Sequence, residues 1–272
     1  MESKVKHLTV VAAALAAATL TGACAGHVER APDVTPTGSA DPDPVLLVSI
    51  DGFHPDYLDP DVTPNLLALA EEGVRAEALV PSFPTKTFPN HYTMATGLRP
   101  DHHGLVANNI WDPEMKERYG LADRDAVQNA EWYGGVPVWV TSERAGRPTA
   151  PLFWPGSEAP IDGVRPTHWR TYDGGMTHGD RVDWVLDRLE HDGVGFATLY
   201  FDAVDVAGHD YGPEAPETRA AAARVDSAIG LLRGGLAERG LGHTEVIVVS
   251  DHGMSPLSRD RVFFLDDYID VE

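Results

Sequence analysis

The apolar positions of this chain fall into short, nearly continuous runs separated by segments with helical spacing. Val45-Leu46-Leu47-Val48-Ser49-Ile50 has almost no polar interruption and stops at Asp51-Gly52. A run of that kind predicts a strand buried on both faces, as in a parallel sheet. Thr63-Pro64 then opens a helix through Ala70, closed by Gly73, with cap, first-turn proline and terminal glycine all present. Residues 74–80 read as a second strand, leading into a loop that carries Thr87, and residues 89–95 as the helix after it. Residues 97–135 read as irregular, with turn formers such as Asn108-Asn109 and Asp112-Pro113. A short helix over 137–144 ends at Gly146, and residues 150–154 read as a strand. Residues 177–189 form a helix with Val182, Val185, Leu186 and Leu189 on one face. An apolar strand over 195–202 follows, with Asp205 and His209 in the loop after it. An Ala-rich helix spans 216–239, and a fifth strand over 246–250 ends at Asp251-His252-Gly253.

Strands alternating with helices imply an α/β fold, a mostly parallel sheet with helices on both faces. Ligands of such sheets bind beyond the carboxyl ends of the strands. Asp51, Asp205 and Asp251 each lie just after such an end, so the fold is expected to gather three acidic loops at one edge. Each residue alone has a plainer reading: Asp51-Gly52 is a turn, Asp251-His252-Gly253 a structural strand end, Asp205 and His209 a solvated loop, and Thr87 a helix cap. Their convergence outweighs those readings, because unrelated turns have no reason to place carboxylates after three different strands. Asp and His together suit zinc, with manganese as an alternative. Two divalent metal ions about 4 Å apart clamp the attacking and leaving oxygens of an in-line displacement. Thr87 precedes a helix start, where outward N–H groups attract phosphate. Metal coordination lowers the pKa of such a hydroxyl, so Thr87 can attack phosphorus without a histidine base. The other histidines, His91 among them, read as surface or locally hydrogen-bonded.

Charge narrows the partners. The 272 residues carry a formal charge of −21, which argues against a protein that grips nucleic acid through Lys and Arg. It does not argue against a small phosphate ester, because bound metal ions dominate the field inside a site. Residues 1–25 read as an export signal, with Lys4 and Lys6 ahead of an apolar run over 8–18 that is short for a membrane span. Ala23 and Ala25 fit a small-x-small cleavage pattern. Cys24 is the alternative, a lipid anchor, but Leu20 lies one position too far upstream for that pattern, so plain export is expected. The expected location is periplasmic, extracellular or cell-surface. Residues 26–44 read as a flexible tether and 45–272 as the folded domain, which has no cysteine to form a disulfide. The sequence assigns no oligomeric state.

Several of these segments together resemble the motifs of the nucleotide pyrophosphatase/phosphodiesterase family, within the alkaline phosphatase superfamily. Pro84-Thr85-Lys86-Thr87-Phe88-Pro89-Asn90-His91-Tyr92 resembles the family's nucleophile motif, continued by Thr96-Gly97-Leu98, His103-Gly104 and Asn108. Val204-Asp205-Val206-Ala207-Gly208-His209 with Tyr211-Gly212-Pro213, and Ser250-Asp251-His252-Gly253-Met254, resemble its second and third motifs. The resemblance implies an alkaline phosphatase-like fold and hydrolysis of small phosphodiesters or nucleotide pyrophosphates through a phospho-threonine. It implies that Asp51, Thr87, Asp251 and His252 hold one zinc, and that Asp205 and His209 belong to the other. Asn108 and the N–H of Thr87 would hold a phosphate oxygen, and Phe88 and Tyr200 would stack on a nucleotide base. The family's second zinc takes a further histidine downstream, and no histidine follows His252. The expectation is therefore a chain short at its C-terminus, with a two-residue second site and an uncovered sheet edge. Two rival expectations remain: an inactive fragment that binds one metal, and an enzyme acting on phospholipid headgroup diesters.

Overall fold

The computed structural model describes residues 42–270; the expected signal peptide, Cys24 and most of the expected tether lie outside the described residues. In chain order the elements are β1 (Val45–Ile50), α1 (Pro64–Glu72), α2 (Thr87–Thr96), α3 (Pro100–His103), β2 (Asn109–Asp112), β3 (Glu117–Gly120) and α4 (Arg124–Gln128). After them come α5 (Val138–Arg144), β4 (Thr149–Pro151), α6 (His178–His191), β5 (Phe196–Phe201), α7 (Ala203–Tyr211), α8 (Pro216–Glu238) and β6 (Glu245–Val249). The main sheet has the order β4-β5-β1-β6, and all of its pairings are parallel. Val48, at the centre, lies opposite Leu199 on one side and Val248 on the other.

Alternate residues of β1 feed two separate cores. Leu46, Val48 and Ile50 pack with Leu66 of α1, Val185 and Leu186 of α6 and Val225 and Ile229 of α8. Val45 and Leu47 face the other way, toward Tyr92 of α2 and Trp139 and Val140 of α5. That is the physical content of a continuous apolar run: each face of the strand has its own layer of helices to bury against. The α/β class, the parallel sheet and the helices on both faces are therefore as the sequence pattern requires.

Four local expectations are corrected. Residues 74–80 form no strand, and Val74 and Val80 are almost fully exposed. A strand needs a partner edge, and this segment pairs with neither β4 nor β6. The region read as irregular holds α3, α4 and the antiparallel β2–β3 hairpin, elements too short to show a period. Helix α2 begins at Thr87 rather than at Pro89. Thr63 occupies the N-cap of α1 but makes no side-chain cap bond. Asp226, buried on α8, supplies it instead, accepting from the N–H groups of Asn65 (3.1 Å) and Leu66 (2.8 Å). That cap comes from a residue 160 positions away, so no local pattern could reveal it.

Candidate active site

Three chain segments meet at the carboxyl edge of the sheet. Asp51 follows β1 and keeps its N–H in the ladder, donating to the Phe201 carbonyl at 2.9 Å. Asp251 and His252 follow β6, two strands from β5. The Gly52 N–H donates to Asp251 Oδ1 at 3.2 Å and the Phe53 N–H to Ser250 Oγ at 3.0 Å, which stitches the two loops together. As a result Asp51, Asp251 and His252 each present one ligand atom, all within 4.8 Å of one another.

Burial makes this cluster electrostatically costly. Asp51 and Asp251 are almost fully buried, at 1% and 2% exposure. Loss of hydration, and for Asp51 the nearby charge of Asp251, pushes both carboxyls well above the usual range. Asp51 Oδ1, Asp251 Oδ2 and Asp205 Oδ1 are buried with no hydrogen-bond partner. His252 Nε2 lies 3.6 Å from Asp51 Oδ1 and 3.1 Å from Asp251 Oδ2, without hydrogen-bond alignment to either. Unpaired buried carboxylate oxygens beside an imidazole are the donor set of a divalent cation, which satisfies them and cancels their charge. The residues present fit such an ion.

Asp205 and His209 lie on a helix, not in a loop. Helix α7 starts directly after β5 and carries them one turn apart, His209 Nε2 being 3.5 Å from Asp205 Oδ1. The start of α7 is anchored from α6: buried Arg181 donates to the Tyr200 carbonyl at 2.9 Å and to Asp202 Oδ1 at 3.1 Å. Gly52 sets α7 against the first cluster. Its φ is +69°, and a Cβ there would lie 2.9 Å from Asp205 Cα. Gly52→Ala therefore combines a strained conformation with a backbone clash. The expected loss is about 2–4 kcal/mol in urea denaturation, together with weakened metal binding.

Thr87 is the first residue of α2 and is half-buried. Lys86 holds the N-cap position and makes no side-chain cap bond. The loop before it is clamped by buried Asn90, whose amide donates to the carbonyls of Ser82, Pro84 and Lys86 and accepts from the Ser82 N–H at 2.7 Å. Asn108 Oδ1 accepts from the Phe88 N–H at 3.0 Å, which leaves its NH₂ as the free end of the amide. Phe88 is half-buried, its ring edge-on to Tyr119 with centroids 5.9 Å apart.

Tyr200 departs from its expected role. It is only 8% exposed, its ring packs against His91, and its hydroxyl donates to Asp51 Oδ2 at 2.6 Å. A ring held in the interior has no open face for a base.

His91 is the residue the sequence reading passed over. It is fully buried, one turn after Thr87. Its Nδ1 lies 2.8 Å from the Thr87 carbonyl and 3.6 Å from Asp251 Oδ2, and its Nε2 2.8 Å from Ser49 Oγ. Burial lowers its pKa, so the ring is neutral. A carbonyl only accepts, which puts the proton on Nδ1 and makes Ser49 the donor to Nε2. His91 thus ties the helix of Thr87 to the acidic cluster. The available signal was its i+4 spacing from Thr87, which puts the two residues on one face of the helix.

Fold and site together define an α/β protein with a buried carboxylate–imidazole cluster, a candidate cation site, at the carboxyl edge of its parallel sheet, linked through one histidine to the carbonyl of a threonine at a helix start. The family model for type I phosphodiesterase / nucleotide pyrophosphatase matches residues 45–272, and the chain belongs to that family. An uncharacterised pyrophosphatase/phosphodiesterase of Schizosaccharomyces pombe is 39% identical over 232 residues, 84% of this chain and 48% of the relative. Human ectonucleotide pyrophosphatase/phosphodiesterase family member 1 is 38% identical over 240 residues, 86% of this chain and 26% of the relative. Murine ectonucleotide pyrophosphatase/phosphodiesterase 5, an inactive threonine-to-alanine form solved with AMP, superposes with a TM-score of 0.78 at 34% identity, covering 84% of this chain and 62% of that one. The chain spans about half or less of the length of these curated relatives.

Proposed function

We propose that this chain hydrolyses phosphodiester or pyrophosphate bonds of nucleotides or related small diesters, with Thr87 as the nucleophile. The observation that carries the reading is that Asp51, Asp251 and His252 offer ligand atoms within 4.8 Å of one another, with a buried oxygen of each carboxylate lacking a hydrogen-bond partner, and that His91 ties this cluster to the Thr87 carbonyl at the start of α2. Asp51, Asp251, His252 and Thr87 would hold one divalent cation, and Asp205 and His209 would contribute to a second, zinc suiting both. When bound, such ions lower the pKa of a coordinated hydroxyl and offset charge on phosphoryl oxygens. Thr87 Oγ would attack phosphorus in line as its own proton is given up, the bond to the ester oxygen would break and that oxygen take up a proton as it departs, leaving a phospho-threonine. Water would attack that phosphorus, the bond to Oγ would break, and a proton from the water would pass to Thr87 Oγ. The free NH₂ of Asn108 and the N–H of Thr87 donate to a non-bridging oxygen, with the start of α2 favouring the negative charge. Phe88 offers an aromatic edge beside the site for the substrate's base.

The names of the relatives support nucleotide chemistry, and AMP in the murine structure supports a nucleotide as the occupant. The inactive threonine variant of that protein supports a threonine nucleophile. Relatives called ectonucleotide enzymes and a venom phosphodiesterase support an exported location. Among the described residues no helix is long and apolar enough to cross a membrane.

The test is metal content measured alongside diesterase activity on the purified chain. The expected result is about two zinc ions per chain and faster cleavage of p-nitrophenyl thymidine monophosphate than of p-nitrophenyl phosphocholine. One ion or none, with no turnover, would instead identify a non-catalytic metal-binding chain. The reverse substrate order would move the assignment to headgroup diesters.

A further inference from the structure

Each carboxylate of the buried cluster has one oxygen engaged by the protein and one left over. Asp251 Oδ1 accepts the Gly52 N–H, and Oδ2 has no hydrogen-bond partner, only imidazole nitrogens of His252 and His91 at 3.1 and 3.6 Å. Asp51 Oδ2 accepts the Tyr200 hydroxyl at 2.6 Å, and Oδ1 has no hydrogen-bond partner, with His252 Nε2 3.6 Å away. The first of these bonds comes from backbone and is insensitive to side-chain identity. The second comes from a side chain that the fold holds firmly. Tyr200 sits opposite Ser49 in the β1–β5 register, two residues before Asp51 on the neighbouring strand. Its ring stands edge-on to His91 at 5.3 Å, and His91 is edge-on to Trp154 at 4.9 Å. Its carbonyl is held by Arg181. The phenol therefore has little freedom to leave Asp51.

A short hydrogen bond to an ionised oxygen is strong and withdraws that oxygen from other partners. It also fixes the plane of the carboxylate, and such outer contacts govern how a ligand meets its ion. We infer that Tyr200 is a positioning residue that makes Asp51 a one-oxygen ligand, presenting Oδ1 alone to a divalent cation at the Asp51–Asp251–His252 cluster. This rests on the metal-site reading above and assigns Tyr200 a task different from base stacking.

Tyr200→Phe removes the hydroxyl and keeps the ring that fills the interior. Tyr172→Phe is a matched control, because the Tyr172 hydroxyl donates at 2.5 Å to Asp202, a carboxylate outside the cluster. The probe is Co²⁺, whose visible absorption weakens when a four-coordinate site gains a further oxygen. The expected result is that Tyr200→Phe binds Co²⁺ roughly 10–100-fold more weakly, with a weaker visible band, while Tyr172→Phe matches the unaltered chain. Unchanged affinity and spectrum in Tyr200→Phe would overturn the inference and leave the metal site standing. Equal losses in both variants would also overturn it, since they would report general loosening at the end of β5. No Co²⁺ binding by the unaltered chain would overturn both the inference and the metal-site reading.

Discussion

Thr87→Ala is expected to abolish turnover, by at least about 10³-fold, while the melting temperature of the metal-free chain stays within a few degrees. The separation of activity from folding follows from where Thr87 sits. It is the first residue of α2, not its cap, and the N–H of Phe88 in that first turn is held by Asn108 Oδ1 rather than by Thr87. Removing the hydroxyl therefore costs no capping bond, and alanine is at least as good a helix former as threonine. The loop ahead of it is held by Asn90, and its own carbonyl by His91, so the backbone keeps its place without the side chain. Thr87→Ser should retain part of the activity, because it keeps the oxygen. Full activity in Thr87→Ala would exclude the phospho-threonine route.

A second large effect concerns pH and metal together. Burial raises the folded-state pKa of Asp51 and Asp251 above the ordinary value of 3.8. The folded chain therefore holds those protons at pH values where the unfolded chain has already released them. The stability this contributes is complete below the unfolded value and is lost as pH rises through the folded values. His91 works in the opposite sense, because burial lowers its pKa below 6.5 and its contribution is lost as pH falls. Above about pH 6.5 the histidine contribution is constant, and only the carboxylates continue to change. Chelator-treated protein should accordingly lose stability in urea as pH rises from neutrality. Saturating Zn²⁺ should reverse that slope and add about 4 kcal/mol at a thousand times its dissociation constant. A metal-free chain whose stability climbs over the same range, or one indifferent to Zn²⁺, would remove the electrostatic basis of the site.

Much of the frame was legible in the chain because its signals are local. The runs that became β1, β5 and β6 are continuous and apolar, and α6 carries a clear stripe from Val182 to Leu189. From those runs alone came the parallel sheet, its helical layers and the prediction that Asp51 and Asp251 share an edge, since every parallel strand ends on the same side. What only the folded chain decided depends on partners distant in sequence. Residues 74–80 have the composition of a strand but no edge to pair with. Asp205 and His209 have loop-like neighbours in sequence but sit on α7, whose start is anchored by Arg181 through Asp202. The sequence reads His91 as a surface or locally hydrogen-bonded residue and Tyr200 as one of a stacking pair, and only the meeting of α2, β1, β5 and the loop after β6 puts their polar atoms against Thr87, Asp251 and Asp51. Periodicity reports which way a side chain faces; which atom waits there is a property of the assembled layers.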